Sequence, residues 1–193
     1  MRNALAFLSV LFLGFNSMAH STQTIVFIRH GEKPNNDSGQ LTCKGLNRAL
    51  AIPDALISQF GKPDALFASA PKQNKLGSSL RAVQTITPTA IRESLPIHLN
   101  YHAKEIIELQ KALLSSEYKN SVIFIAWEHD NLVKVAKGIM KSEGGNPNEI
   151  PKWQGPDFDS IYVLRISRDN GSKIITFEHA QQGLNNVSEL CPE

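Results

Sequence analysis

The chain has 193 residues, a formal charge of +2 and two cysteines. That length suits a single domain with a real core, and 20 basic against 18 acidic residues leaves no basic stripe of the kind that holds nucleic acid. Beyond the first fifteen residues no stretch is apolar enough to cross a membrane, and no repeat or linker divides the chain.

Met1-Arg2-Asn3 is a short basic start, Ala4 to Phe15 is almost unbroken apolar, and Ser17 and Ala19 are small residues in the −3 and −1 positions of a signal peptidase site. Residues 1–19 read as a signal peptide and 20–193 as one domain, periplasmic or secreted, with no stable membrane anchor after cleavage. An uncleaved anchor is the alternative. In an oxidising compartment Cys43 and Cys191 allow one intramolecular pairing, which leaves a disulfide or two free thiols.

Thr24 to Ile28 reads as the first strand, followed by a polar, turn-rich segment from Gly31 to Gln40. Thr42 caps a helix with Leu46, Leu50, Leu56, Ile57 and Phe60 at helical spacing, and Pro53 should kink or break it. Asp64 to Ala68 is the second strand, and a loop runs to Gly77. Ser78 or Ser79 then caps a helix that carries Arg81 in its first turn. Pro96 to Leu99 reads as a strand, Glu105 to Leu114 as an amphipathic helix, Ser121 to Trp127 as a buried strand and Asp130 to Met140 as a helix. After a Gly- and Pro-rich loop from Gly144 to Asp159, Ile161 to Ile166 and Lys173 to Phe177 pair across Asp169-Asn170-Gly171, a hairpin signal. Alternating strands and helices predict a three-layer α/β sandwich: a mainly parallel central sheet, helices on both faces and a late antiparallel hairpin.

Ligands bind outside the carboxyl ends of the strands in such sheets. Arg29-His30-Gly31 follows the first strand, Arg81 lies beyond the second, and Glu128-His129-Asp130 follows the buried strand. Three clusters far apart in sequence converge on one sheet edge. Their residue types suit phosphoryl transfer, which is mostly positioning and charge stabilisation. Arginine forks match phosphate oxygens, the start of a helix adds N–H donors, and a neutral imidazole flanked by arginines can attack phosphorus.

Phe27-Ile28-Arg29-His30-Gly31-Glu32 resembles the signature of the histidine phosphatase superfamily, which includes phosphoglycerate mutases, acid phosphatases and phytases. Leu41-Thr42, Gly45 and Arg48-Ala49 resemble its first helix, Ser78 to Thr85 its second arginine segment, and His129 its second histidine. The resemblance implies a phosphohistidine formed on His30, phosphate bound by Arg29, Arg81 and His129, and neither metal nor cofactor. It implies a phosphatase acting on phosphomonoesters or phosphorylated protein side chains. An inactive phosphate-binding module and a phosphomutase are the alternatives.

Two departures limit the transfer. His129 is followed by Asp130, as in acid phosphatases and phytases, where mutase-like members have glycine; yet the chain is too short for their helical insertion and has Lys33-Pro34 in place of a further arginine. Asp130 is read as the proton donor, with helix capping as its bland alternative and Glu105 or Glu128 as rival donors. The spacing of His98 and His102 is seen in metal sites, but the pair spans a strand-to-loop junction and reads as solvated. Trp153 and Phe158 either seal the core or wall the pocket.

Overall fold

The computed structural model describes residues 21–36, 38–74 and 76–193, so the expected signal peptide lies outside the described residues. Strands β1 (Ser21–Arg29), β2 (Ala65–Ala68), β5 (Ile97–His98), β6 (Val122–Trp127), β7 (Ser160–Asp169) and β8 (Ser172–Gln181) form one sheet in the order β5-β2-β6-β1-β7-β8. The pairs β5/β2, β2/β6 and β6/β1 are parallel, while β1/β7 and β7/β8 are antiparallel. A small second hairpin, β3 (Lys72–Asn74) and β4 (Gly77–Ser79), occupies part of what the sequence suggests is a loop.

Alternation along the strands divides the core in two. Ile25, Phe27, Ile123, Ile125 and Trp127 face one side, where α3 (Ile106–Leu113) and α4 (His129–Ser142) supply Leu109, Leu113, Leu132 and Val135. Val26, Ile28, Phe124 and Ala126 face the other, against Ile52 and Leu56 of α1 (Cys43–Phe60) and Ala82 and Ile86 of α2 (Arg81–Glu93). The architecture is the expected three-layer sandwich with its late hairpin. Asn170 and Gly171 both have positive φ, 50° and 82°, which suits a tight two-residue turn.

Three local expectations are corrected. Helix α1 runs unbroken through Pro53, a residue that is itself buried against the sheet. Its buried face is Gly45, Arg48, Ala49, Ile52, Pro53 and Leu56, whereas Leu46 and Leu50 are exposed. The rotation is set at Gly45, where a Cβ would stand 2.4 Å from the Glu32 carbonyl oxygen, so this face of the helix must meet the chain just after β1. Neither Ser78 nor Ser79 caps α2: its N-cap is Leu80, with no side-chain hydrogen bond, and Ser79 Oγ accepts from Arg81 Nε at 3.3 Å instead. Thr42 does cap α1, accepting from the Gly45 N–H.

No helix among the described residues is long and apolar enough to cross a membrane. Cys43 and Cys191 form a disulfide that ties the tail to the first residue of α1 across a separation of 148 residues.

Candidate active site

The chain leaves β1 through α1 toward β2, beyond β6, and leaves β6 through α4 toward β7, beyond β1. The carboxyl ends of β1 and β6 are therefore a topological switch point, where open sheets leave a crevice. His30 and Glu128 are the first residues past these two strands, and the His30 N–H donates to the Trp127 carbonyl at 3.0 Å.

His30 is 6% exposed. Its Nδ1 lies 2.8 Å from the Gly31 carbonyl, which can only accept, so the neutral ring carries its proton on Nδ1 and leaves a lone pair on Nε2. Burial, and then the charges of Arg81, Arg29 and His129, push its pKa down to about 4 despite the bond to Gly31. The arginines expected to keep His30 neutral do so, but desolvation is the larger cause. Gly31 packs directly on α1, where an added Cβ would stand 2.9 Å from Gly45 O. Close approach, rather than a special φ, is what requires glycine there. The Gly31 N–H donates to Thr85 Oγ1 at 2.9 Å, and that hydroxyl donates to Arg81 O at 2.7 Å, coupling the His30 loop to α2.

Arg29 is buried with its guanidinium 3.9 Å above the Phe158 ring. Nη1 donates to the carbonyls of Gly155 and Asp157, while Nε is buried with no hydrogen-bond partner among the described residues. Burial lowers its pKa, opposed by the carboxylates of Glu128, Asp157, Asp130 and Glu32. Phe158 thus borders the site, 6.3 Å from the His30 ring, whereas Trp153 belongs to the core, its ring tilted 43° to that of Tyr162.

Glu128 caps α4: its carboxylate accepts from the N–H groups of Asp130 and Asn131, both at 3.0 Å. Capping falls to Glu128, and not to Asp130 as the bland alternative supposed. His129 Nδ1 lies 2.7 Å from Glu128 Oε1, so the carboxylate that caps α4 also faces this ring. Asp130 Oδ1 is 3.9 Å from His129 Nε2, on a side chain 59% exposed. Glu128, His129 and Asp130 offer ligand atoms within 4.8 Å of one another, yet a cation there would compete with the helix cap for the Glu128 oxygens.

His30, Arg81, Glu105 and Glu128 line one cavity of about 490 Å³, with Lys72, His102 and Lys104 among its other walls. Arg29, His129 and Asp130 stand outside that lining. Glu105, one of the two rival donors, borders the cavity, and its Oε2 accepts from the His102 N–H at 2.5 Å. His98 stacks on Phe67 with ring centroids 4.7 Å apart, a packing role.

Arg48, which the sequence offers only as part of the helix resembling the family's first, has a definite role in the structure. Fully buried, it donates from Nε and Nη2 to Glu32 at 2.9 to 3.2 Å, and from Nη1 to Asp159 Oδ1 at 3.0 Å and Gln182 Oε1 at 3.1 Å. Gln182 Nε2 in turn donates to Phe158 O at 2.9 Å. One guanidinium therefore joins the loop after His30 to the segment under Arg29. Its spacing four residues before Ile52 and eight before Leu56 was the available signal, a charge on an apolar stripe.

No protein-family model matches the sequence, and no curated protein matches it either. Among solved structures, the chain superposes on a candidate phosphohistidine phosphatase SixA from Nakamurella multipartitia with a TM-score of 0.55 at 13% identity, over 82% of this chain and 96% of that one. A mycobacterial glucosyl-3-phosphoglycerate phosphatase gives 0.54 at 12% identity, over 81% and 95%. A phosphoglycerate mutase from Plasmodium falciparum gives 0.53 at 14%, over 81% and 89%. The chain shares the fold of these three proteins.

Proposed function

We propose that the protein is an exported phosphohydrolase that transfers the phosphoryl group of a phosphomonoester, or of a phosphorylated side chain, to His30 and then to water. His30 Nε2 attacks phosphorus as the ester P–O bond breaks, and the leaving oxygen takes a proton from a carboxyl group. Water then attacks the phosphohistidine, the P–N bond breaks, and the same carboxylate accepts the proton from water. Arg29, Arg81 and His129 hold the phosphoryl oxygens.

The observation that carries this reading is a buried imidazole held neutral that shares a cavity with Arg81, beside a buried Arg29 whose Nε has no hydrogen-bond partner among the described residues. Buried polar atoms are normally satisfied, and a phosphate oxygen would satisfy Arg29 Nε. Asp130, the donor expected from sequence, sits in solvent beside His129, whereas Glu105 borders the cavity with His30. Position favours Glu105. Export is supported by the character of residues 1–19 and by the disulfide, which persists in oxidising compartments. N-terminal sequencing of exported protein should begin at His20.

The test of the function is phosphoenzyme trapping. Wild type should form an acid-labile phosphoenzyme and release inorganic phosphate in step with substrate loss, with activity surviving a chelator. His30→Ala should abolish both; label on another residue, or phosphoryl transfer to a second hydroxyl without phosphate release, would overturn the reading.

A further inference from the structure

The cavity is several times larger than one phosphoryl group needs and falls within the range of pockets that enclose a whole small organic ligand. Its cations are unevenly distributed. Arg81 stands with His30, while Lys72 and Lys104 line the same cavity from two other segments. Lys72 is directly opposite Ser79 in the β3/β4 hairpin, so the two side chains share a face. Ser79 Oγ is itself the acceptor for Arg81 Nε, which brings the Lys72 stem toward Arg81. Lys104 reaches the cavity from the loop before α3, and that loop is fastened to the Lys72 segment by the Ala70 N–H donating to Tyr101 O at 2.7 Å. Among the described residues neither lysine has an ion pair. The cavity also carries two carboxylates, Glu105 and the α4 cap Glu128, which its three basic side chains, Arg81, Lys72 and Lys104, outnumber.

Like charges gathered around one cleft raise its potential and favour an anion. We infer that Lys72 and Lys104 form a second anion subsite beside the His30 phosphoryl position, so that the substrate is a small phosphomonoester carrying a second anionic group, a carboxylate or another phosphate. This rests on the phosphohydrolase reading for the reaction, but not for the binding.

The experiment separates the two. Binding is measured by calorimetry with benzylphosphonate, which cannot be hydrolysed, and with analogues bearing a ring carboxylate or a second phosphonate. Turnover is measured with phenyl phosphate and its carboxylated counterparts. The doubly anionic phosphonates should bind about tenfold more tightly at low salt, with an advantage that shrinks as salt rises. In the doubly substituted Lys72→Ala, Lys104→Ala protein, where both side chains are exposed and the fold should persist, the ratio of affinities should collapse toward one. Equal binding of singly and doubly anionic phosphonates, no binding of either, or an advantage that survives the double substitution would overturn the subsite. Discriminating binding without hydrolysis of any ester would uphold the subsite and sink the hydrolase reading instead.

Discussion

Arg48 Nη1 lies 3.0 Å from Asp159 Oδ1, an ion pair between residues 111 positions apart in which neither side chain is more than 6% exposed. Because Arg48 also holds both Glu32 oxygens, this contact clamps the loop after His30 to the segment that carries Phe158. Arg48→Met would leave two carboxylates facing an apolar side chain. It should cost about 3–5 kcal/mol in urea unfolding. Where the variant still folds, vanadate should bind more weakly, since the Arg29 support has loosened. Arg48→Lys keeps the charge and loses the fork, so it should recover only part of either quantity. A small loss with unchanged vanadate affinity would mean that the clamp is dispensable.

The depressed pKa of His30 has a sign that can be checked in two ways. In the unfolded chain the imidazole titrates near its ordinary value of about 6.5, and in the folded chain near about 4. Between those pH values the unfolded state binds the proton that the folded state excludes. Stability should therefore fall as pH drops through that window, by up to roughly 3 kcal/mol, and be unaffected by this group above it. His30→Asn should flatten that part of the stability profile. In the active protein the acid limb of kcat/KM should bend near pH 4 instead of near 6.5, because kcat/KM reports the free enzyme.

The disulfide should act mainly through the unfolded chain. Closing a loop of about 148 residues is worth up to roughly 5 kcal/mol in the chain-entropy model. Cys191→Ser should lower the urea midpoint accordingly. If reduction leaves the midpoint unchanged, the tail contributes nothing through its covalent tie.

The sheet and the convergence of the site were legible because each depended on a strong local signal. Val26 to Ile28, Ile123 to Trp127 and the Asn170-Gly171 turn carry their conformations in their residue types. The β3/β4 hairpin did not, being two three-residue polar strands with no periodicity to read. The buried face of α1 was misread because Leu46 and Leu50 are more apolar than Gly45 and Arg48. Close backbone approach and a buried ion pair outweighed hydropathy there. His30 and Arg81 line one cavity, but which carboxyl reaches it depends on the path of the loop before α3, and residue types alone do not encode that path.

The donor can be identified through the leaving group. An alkoxide leaves poorly without a proton, whereas p-nitrophenolate departs unaided, and general acid catalysis contributes about 10²–10⁴-fold where it is needed. Glu105 borders the cavity with His30, and its bond to the His102 N–H leaves the carboxyl anchored but on the substrate side. Asp130 is 3.9 Å from His129 and largely in solvent, where a proton would more readily exchange with water than reach an ester oxygen. Glu105→Gln should therefore slow turnover of an alkyl phosphate by about a hundredfold or more while costing p-nitrophenyl phosphate far less. Asp130→Asn should change both substrates by similar, small factors. The reverse pattern, with the selective loss in Asp130→Asn, would assign the proton to Asp130 and require that α4 present it to bound substrate from beside His129. Equal losses on both substrates in Glu105→Gln would mark Glu105 as the anchor of the His102 loop, whose removal disturbs the cavity wall and not the proton transfer.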